Sequence, residues 1–302
     1  MKGRLSSMIF VTGATGLTGK YLLNLLDKDK EIDNQKVVLF VRKTSNITGI
    51  DNKGFLIEYG DITDKESLHK ALADKEIDTL IHIVQLRYAP IIVDLANQFN
   101  VKRLIIVGTT GMFSKYQVYS EEYQRAEAYI YSNSKVPFVI LRPTMIYGDH
   151  NDRNMNKLLR FMNKYRFFPV FGSGKSMMQP IYYKDLAKAI YDVYKRKELI
   201  NVSFNLAGKE PISYKNLLQT AGKALGKKIY IVRIPYFLAF SIVGLYNLIS
   251  SKPKIKLEQI RRLNEDKMFD FSEAKKAFGF DPIDFETGIQ YQIRDLKKRG
   301  YL

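Results

Sequence analysis

Residues 8–19 read Met8-Ile9-Phe10-Val11-Thr12-Gly13-Ala14-Thr15-Gly16-Leu17-Thr18-Gly19, and this stretch decides the fold. A run of apolar residues predicts a short buried strand, three glycines spaced three apart predict a turn, and an amphipathic pattern from Leu17 to Asp27 predicts a helix. A turn of this kind lets backbone N–H groups approach a pyrophosphate at the positive end of the helix. Its last glycine lets the helix lie close against the strand. The ligand that suits the arrangement is a dinucleotide. A glycine-rich turn alone is an ordinary loop; the strand before it and the helix after it carry the reading.

Further apolar runs lie at Val37–Val41, Phe55–Tyr59, Thr79–Val84, Leu104–Val107 and Phe138–Leu141. Helical patterns separate them at Lys65–Ala73, Ala89–Phe99 and Val118–Ser132. This βαβ alternation predicts an α/β class, a Rossmann-type doubly wound parallel sheet with a smaller, mostly helical C-terminal lobe. After Arg142-Pro143 the alternation loosens. Pro180–Tyr183 reads as a strand returning to the sheet, a helix follows from Lys184 to Tyr194, and Val202–Leu206 reads as another strand. The dinucleotide-binding domain is therefore assigned to residues 1–150 and about 176–208, and the smaller substrate lobe to 151–175 and 209–302.

The chain has 302 residues, no cysteine and three scattered histidines, so disulfides and thiolate metal sites are excluded and no metal site is expected. The formal charge of +17 suits an anionic partner. No zinc finger, RGG tract or RNA-reading motif accompanies it, so nucleic acid is not an expected partner. Met1–Ser7 is basic, but the apolar run behind it ends at Val11, which does not make a signal peptide; a cytoplasmic protein is the expectation.

At the level of motifs the chain resembles the short-chain dehydrogenase/reductase superfamily, specifically its extended and atypical epimerase/dehydratase-like members. The resemblance begins at the TGxxGxxG turn and continues through Gly60-Asp61-Ile62-Thr63-Asp64, Leu141–Gly148, Gln179–Ala187 and Phe204–Gly208. Arg261-Arg262-Leu263-Asn264 through Phe269-Asp270 looks like the C-terminal segment of nucleotide-sugar-epimerase-like proteins. The resemblance implies cofactor contacts from Thr12, Gly13, Thr15, Gly16, Leu17, Thr18 and Gly19. It also implies that Asp61 and Ile62 border the adenine, that Val84 and Gln85 lie along the cofactor, and that Pro143, Thr144 and Met145 flank it. An acid closing the second strand would bind the adenosine ribose of NAD, but here that strand ends Phe40-Val41-Arg42-Lys43. A cationic pair can neutralise a 2′-phosphate, so NADP is expected over NAD, with Arg42 ahead of Lys43 because its planar fork matches phosphate.

Hydride-transferring members of the superfamily carry Tyr-x-x-x-Lys on the helix after the fifth strand. Residues four apart share a helix face, so the ammonium can assist the phenol as acid or base. The corresponding positions are Tyr119 and Tyr123, so the lysine is missing, and Lys115 could replace it only if the helix starts early enough to include it. Tyr119, Thr109 and Thr110 are the catalytic candidates. Ser114, Asn154, Lys157 and Gln179 are the substrate candidates, chosen with Thr144 because they flank the nicotinamide region or the lobe junction in the resembling fold. Two readings stay open. One is an NADP-dependent oxidoreductase or epimerase acting on a small carbonyl or nucleotide-sugar-like substrate, and the other a catalytically silent NADP(H)-binding sensor or assembly protein. Residues 234–249 form a nearly uncharged apolar run followed by Lys252, Lys254 and Lys256. As a helix, this run would serve as a core or homodimer element, or as a weak peripheral membrane contact.

Overall fold

A computed structural model of the chain describes residues 8–116, 118–152, 154–249 and 261–302. The central layer is a seven-stranded parallel sheet in the order β11-β6-β5-β4-β1-β2-β3. Its strands are β1 (Met8–Thr12), β2 (Val37–Val41), β3 (Leu56–Tyr59), β4 (Ile77–His82), β5 (Arg103–Val107), β6 (Phe138–Pro143) and β11 (Val202–Leu206). β2 and β5 are buried along their whole length, as expected for a sheet covered on both faces. On one face, α1 (Leu17–Lys28) and α6 (Tyr183–Lys195) pack Leu22, Leu23, Leu26, Leu186 and Ile190 against Val11, Leu39 and Ile105. On the other, α2 (Lys65–Leu72), α3 (Ala89–Gln98) and α4 (Ser120–Asn133) cover Phe10, Val38 and Leu104. The order reverses between β1 and β4, which opens a crevice at the carboxyl ends of those strands.

Arg103 at the start of β5 ties the sheet to α6. Its buried guanidinium donates to the carbonyl oxygens of Val193 (3.0 Å), Tyr194 (3.4 Å), Arg196 (2.8 Å) and Leu199 (2.9 Å). The last turn of a helix and its exit leave carbonyls short of donors, and of these four only those of Val193 and Arg196 also accept from a backbone N–H, of Arg196 at 3.1 Å and of Leu199 at 3.3 Å.

Beyond the sheet come β7 (Ile146–Tyr147), α5 (Met155–Lys164), β8 (Phe167–Phe171), β9 (Met177–Met178) and β10 (Ile181–Tyr182). β12 (Ile212–Ser213), α7 (Tyr214–Leu225), β13 (Tyr230–Ile234), α8 (Tyr236–Ile249), α9 (Ser272–Phe278) and α10 (Phe285–Lys298) complete the chain. Met155, Leu159, Val170, Leu218, Ile289 and Leu296 form a second core that holds α5, β8, α7 and α10 together.

Two expectations need correction. The 180–183 segment does not return to the main sheet: β10 pairs in parallel with β7, and the place beside β6 is taken by β11. Pro180 has no N–H to offer a ladder, and Tyr183 already begins α6, so only two residues remain for pairing. Nor does 209–302 stay in the smaller lobe. Ala274, Phe278 and Phe280 bury themselves in the large core, with the Phe278 ring 5.3 Å from that of Phe204 on β11.

Candidate functional site

The glycine turn leaves β1 at its carboxyl end. Thr12 is buried, and its hydroxyl lies 2.8 Å from Nδ1 of His82, the last residue of the neighbouring β4. Burial pushes the His82 imidazole down to about 4, so it is a neutral partner that fixes Thr12 and adds no charge beneath the turn. Gly13 has φ +80°, a conformation that glycine adopts without strain. Gly16 N–H bonds to the Gly13 carbonyl at 3.1 Å and Gly16 becomes the N-cap of α1. No side chain caps this helix and its first turn holds no acid, so the positive end of α1 is open to an anion. Leu17 and the buried Thr18 and Gly19 supply its first-turn amides. Thr15, half-buried, stands in the turn. A Cβ on Gly19 would overlap the Gly13 carbonyl oxygen, so the close helix–strand approach requires glycine there.

The neighbouring strand ends converge on the same crevice. Arg42 and Lys43 are exposed directly after β2, and half-buried Asp61 and Ile62 follow β3. The Thr63 backbone N–H and hydroxyl, with the Arg42 charge, hold the Asp61 carboxyl below its ordinary value. Val84 lies against the turn, with Cγ2 3.3 Å from where a Gly13 Cβ would stand, and Gln85 beside it is exposed. These residues fit the phosphate, ribose and adenine end of a dinucleotide.

The crevice continues into a cavity of about 440 Å³. Of the expected residues, Thr109, Thr110, Ser114, Thr144, Met145, Asn154 and Gln179 line it. Most of their polar atoms are already committed. Thr110 donates to the Pro143 carbonyl at 3.2 Å, Thr109 accepts from Gly111 N–H at 3.0 Å, and Gln179 bridges Gly208 O and Phe269 N–H. Thr144 donates to the Gln179 carbonyl. These contacts lock the cavity wall and the Pro143 strand end in place. Lys157 is exposed on α5 and is not among the lining residues.

The residues missed from sequence come from the segment 262–269. Arg262, Glu265, Asp266, Lys267 and Phe269 close the cavity. Glu265 accepts from the Ser114 hydroxyl at 2.5 Å and from Lys115 N–H at 2.8 Å, which pins the loop before α4 to this segment. Lys267 donates to the Arg262 and Glu265 carbonyls, and burial, with Arg262 beside it, lowers its ammonium pKa. The family-like pattern Arg261–Asp270 was the available signal, but nothing in its spacing assigned a role to individual side chains.

The catalytic pair remains incomplete in three dimensions. α4 begins at Ser120, so Lys115 lies before it, and the rescue that required an early helix start does not occur. Tyr119 is the N-cap residue, 47% exposed, and it is Tyr123, not Tyr119, that lines the cavity. The two rings are 6.4 Å apart. The cation nearest the Tyr119 ring in the described contacts is Arg87, whose guanidinium lies over the ring face at 5.4 Å and within 4.0 Å of the Glu122 carboxylate. A cation stacked on a ring face and shared with a carboxylate does not take the place of an ammonium one helical turn away.

Comparison with known proteins agrees with this geometry. Residues 9–207 match the family model for the NAD dependent epimerase/dehydratase family. The chain is 25% identical over 284 residues to a Dictyostelium discoideum protein named NADH dehydrogenase (ubiquinone) 1 alpha subcomplex subunit 9, mitochondrial, covering 85% of this chain and 75% of that one. It spans only 39% of the length of the Arabidopsis thaliana protein of the same name, at 24% identity over 54% of this chain. Among solved structures, gox2253 superposes with TM-score 0.81 at 16% identity, covering 98% of this chain and 100% of that one. The Citrobacter sp. triphenylmethane reductase complexed with NADP(H) gives TM-score 0.73 at 18% identity over 96% and 100% of the two chains. The Bacillus cereus UDP-glucuronic acid 4-epimerase with NAD and UDP-glucuronic acid gives 0.74 at 19% over 97% and 99%.

Proposed function

Because the chain belongs to the NAD dependent epimerase/dehydratase family, we propose that it binds NADP(H) as a held ligand and does not perform the tyrosine-dependent hydride chemistry of the superfamily. One observation carries the reading: at the lysine position, on the helix face that meets the cavity, stands Tyr123. When bound, the cofactor supplies a hydride donor or acceptor at its nicotinamide. The turn from Gly13 to Gly19 and the open end of α1 would hold its pyrophosphate, and Arg42 its 2′-phosphate. The relative named as a subunit of an NADH dehydrogenase supports a place in a larger assembly.

Replacing Tyr123 with lysine tests this. General acid–base assistance contributes ~10²–10⁴-fold to such steps. Over a panel of small carbonyls and nucleotide sugars, the natural chain is expected to consume no NADPH above background, and Tyr123→Lys to raise the rate on at least one substrate by roughly 100-fold. A second reading, an NADP-dependent reductase, is favoured by Lys267, a cation in the cavity wall whose ammonium pKa is lowered. NADPH consumption by the natural chain would establish that reading and overturn the first.

The cofactor preference is tested separately. Arg42→Asp removes a charge-assisted contact worth ~1.5–3 kcal/mol and places a carboxylate beside the 2′-position. Affinity for NADPH should fall roughly 10- to 100-fold, and NADH should become the better ligand. Equal affinities of the natural chain for both cofactors would assign Arg42 to the solvent-facing loop alone.

A further inference from the structure

We propose that the smaller lobe docks on an anionic lipid bilayer surface through a continuous apolar face made by α8 and the outer side of the β8–β13 ribbon, rimmed by cations. The face is built as follows. β13 pairs in parallel with β8, Tyr230 opposite Phe167, Val232 opposite Pro169 and Ile234 opposite Phe171. Residues two apart share a face of a strand, so these six residues lie on one side of the ribbon. α8 covers only the far end of that side, where Ala239 and Val243 are buried against Phe171 and Ile234. The rest of that side stays open: Phe167, Tyr230 and Val232 are exposed, with the Phe167 and Tyr230 rings stacked at 5.5 Å.

The helix presents the same character to solvent. On the side opposite Ala239 and Val243, Phe237 is 73% exposed and Leu245 60%, and Ile242 on the flank is 57% exposed. Tyr236–Ile249 contains no charged residue. Besides its two tyrosines, its polar side chains bond to the helix's own backbone: Ser241 donates to the Phe237 carbonyl at 2.9 Å, and Asn247 to the Val243 carbonyl at 2.6 Å. Bonds of that kind suit a helix whose surroundings offer no water. At ~1.5 Å rise per residue, its 14 residues cover far less than the ~30 Å hydrocarbon core. No described helix is long and apolar enough to cross a membrane. The geometry is that of a helix lying along the interface.

Charge selects the occupant. No aspartate or glutamate occurs between Asp152 and Asp185, or between Glu210 and Glu258, and these are the stretches that supply α5, β8, α7, β13 and α8. The two stretches carry fifteen of the chain's 48 lysines and arginines. Several sit at the rim of the face. Arg166, next to Phe167, is exposed, Lys228 lies over the Tyr230 ring at 5.4 Å, and Arg261 lies over the Phe240 ring at 5.3 Å. Aromatic and aliphatic residues inside a one-signed cationic border match the acyl boundary and anionic headgroups of a bilayer. An apolar protein partner would require the apolar patch but not the absence of acids across both stretches. Lys252, Lys254 and Lys256 lie outside the described residues.

Co-sedimentation of the full chain with vesicles tests the proposal. At low salt, the chain should bind vesicles of equal phosphatidylcholine and phosphatidylglycerol at least ~10-fold more tightly than pure phosphatidylcholine, and high salt should release it. Phe237→Ser with Leu245→Ser should abolish binding while leaving the melting temperature and NADPH binding unchanged, since both side chains are exposed. Arg166→Glu with Lys228→Glu should remove the preference for the anionic lipid. Failure to bind anionic vesicles at low salt overturns the proposal, as does binding that survives the Phe237 and Leu245 changes. Concentration-dependent dimerisation lost in the serine variant, without vesicle binding, would assign the face to a second copy of the chain instead. NADPH binding is read independently, so these outcomes do not bear on the cofactor assignment.

Discussion

Replacing Gly16 with valine is expected to weaken NADP(H) binding by at least ~100-fold, to the point where titration shows no saturation, while the fold survives. Gly16 is exposed, has φ −73°, and an added Cβ would meet only the Gly13 carbonyl oxygen at 3.3 Å. The backbone therefore tolerates a side chain, but the branched methyls would stand where a pyrophosphate must approach the first-turn amides of α1. Loss of glycine's preference at the N-cap costs only about 1 kcal/mol or less. Gly13 and Gly19 are poorer test sites. Gly13 holds a left-handed φ and a Cβ there would stand 3.2 Å from Ile83, and a Cβ on Gly19 overlaps the Gly13 carbonyl, so substitution there harms the fold as well as the ligand site. Retention of NADPH affinity in Gly16→Val would require the nucleotide to sit elsewhere.

The largest expected effect on stability comes from Arg103→Met. Methionine fills much of the stem's volume but takes the side-chain donor from four carbonyl oxygens at and beyond the end of α6, of which those of Val193 and Arg196 keep a backbone donor. Hydrogen bonds from a charged donor contribute ~1.5–3 kcal/mol each, and part of that is recovered where water can reach the freed carbonyls. A net loss of about 3 kcal/mol is expected, which for a chain of this size lowers the melting temperature by roughly 5 °C. Arg103→Lys should recover only part of it, because a single ammonium cannot span the four acceptors that the planar fork reaches. A melting temperature unchanged within about one degree in Arg103→Met would show that water satisfies those carbonyls equally well.

Much of this was legible in the sequence. The seven strands of the sheet lie within one or two residues of apolar runs, because strands covered on both faces have no polar side to blur the pattern. The run at 79–84 shows the limit: β4 ends at His82, and Ile83, whose N–H still bonds to the Thr12 carbonyl at 3.2 Å, and Val84 continue the apolar pattern because they pack beside Gly13. Pro180–Tyr183 misled for the same reason, its apolar character serving a two-residue bridge and the entry to α6. The turn was readable from local spacing, and the missing lysine at Tyr123 from the family resemblance. The far wall of the cavity was not. Glu265 meets Ser114 across 151 positions of chain, and irregular backbone carries it there, so no periodicity marks it. Arg87 over Tyr119 likewise depends on how the loop after β4 meets the start of α4.

The central claim, that the chain holds NADP(H) without turning it over, is tested most directly by titrating the purified protein with NADPH and with NADH. Binding and the 340 nm absorbance of the reduced nicotinamide are followed together in the presence of carbonyl and nucleotide-sugar substrates. The account predicts saturable binding of one NADPH per chain, weaker binding of NADH, and an absorbance that stays constant after saturation. No saturation by either nucleotide, or a steady fall in absorbance on adding any one substrate, would contradict it.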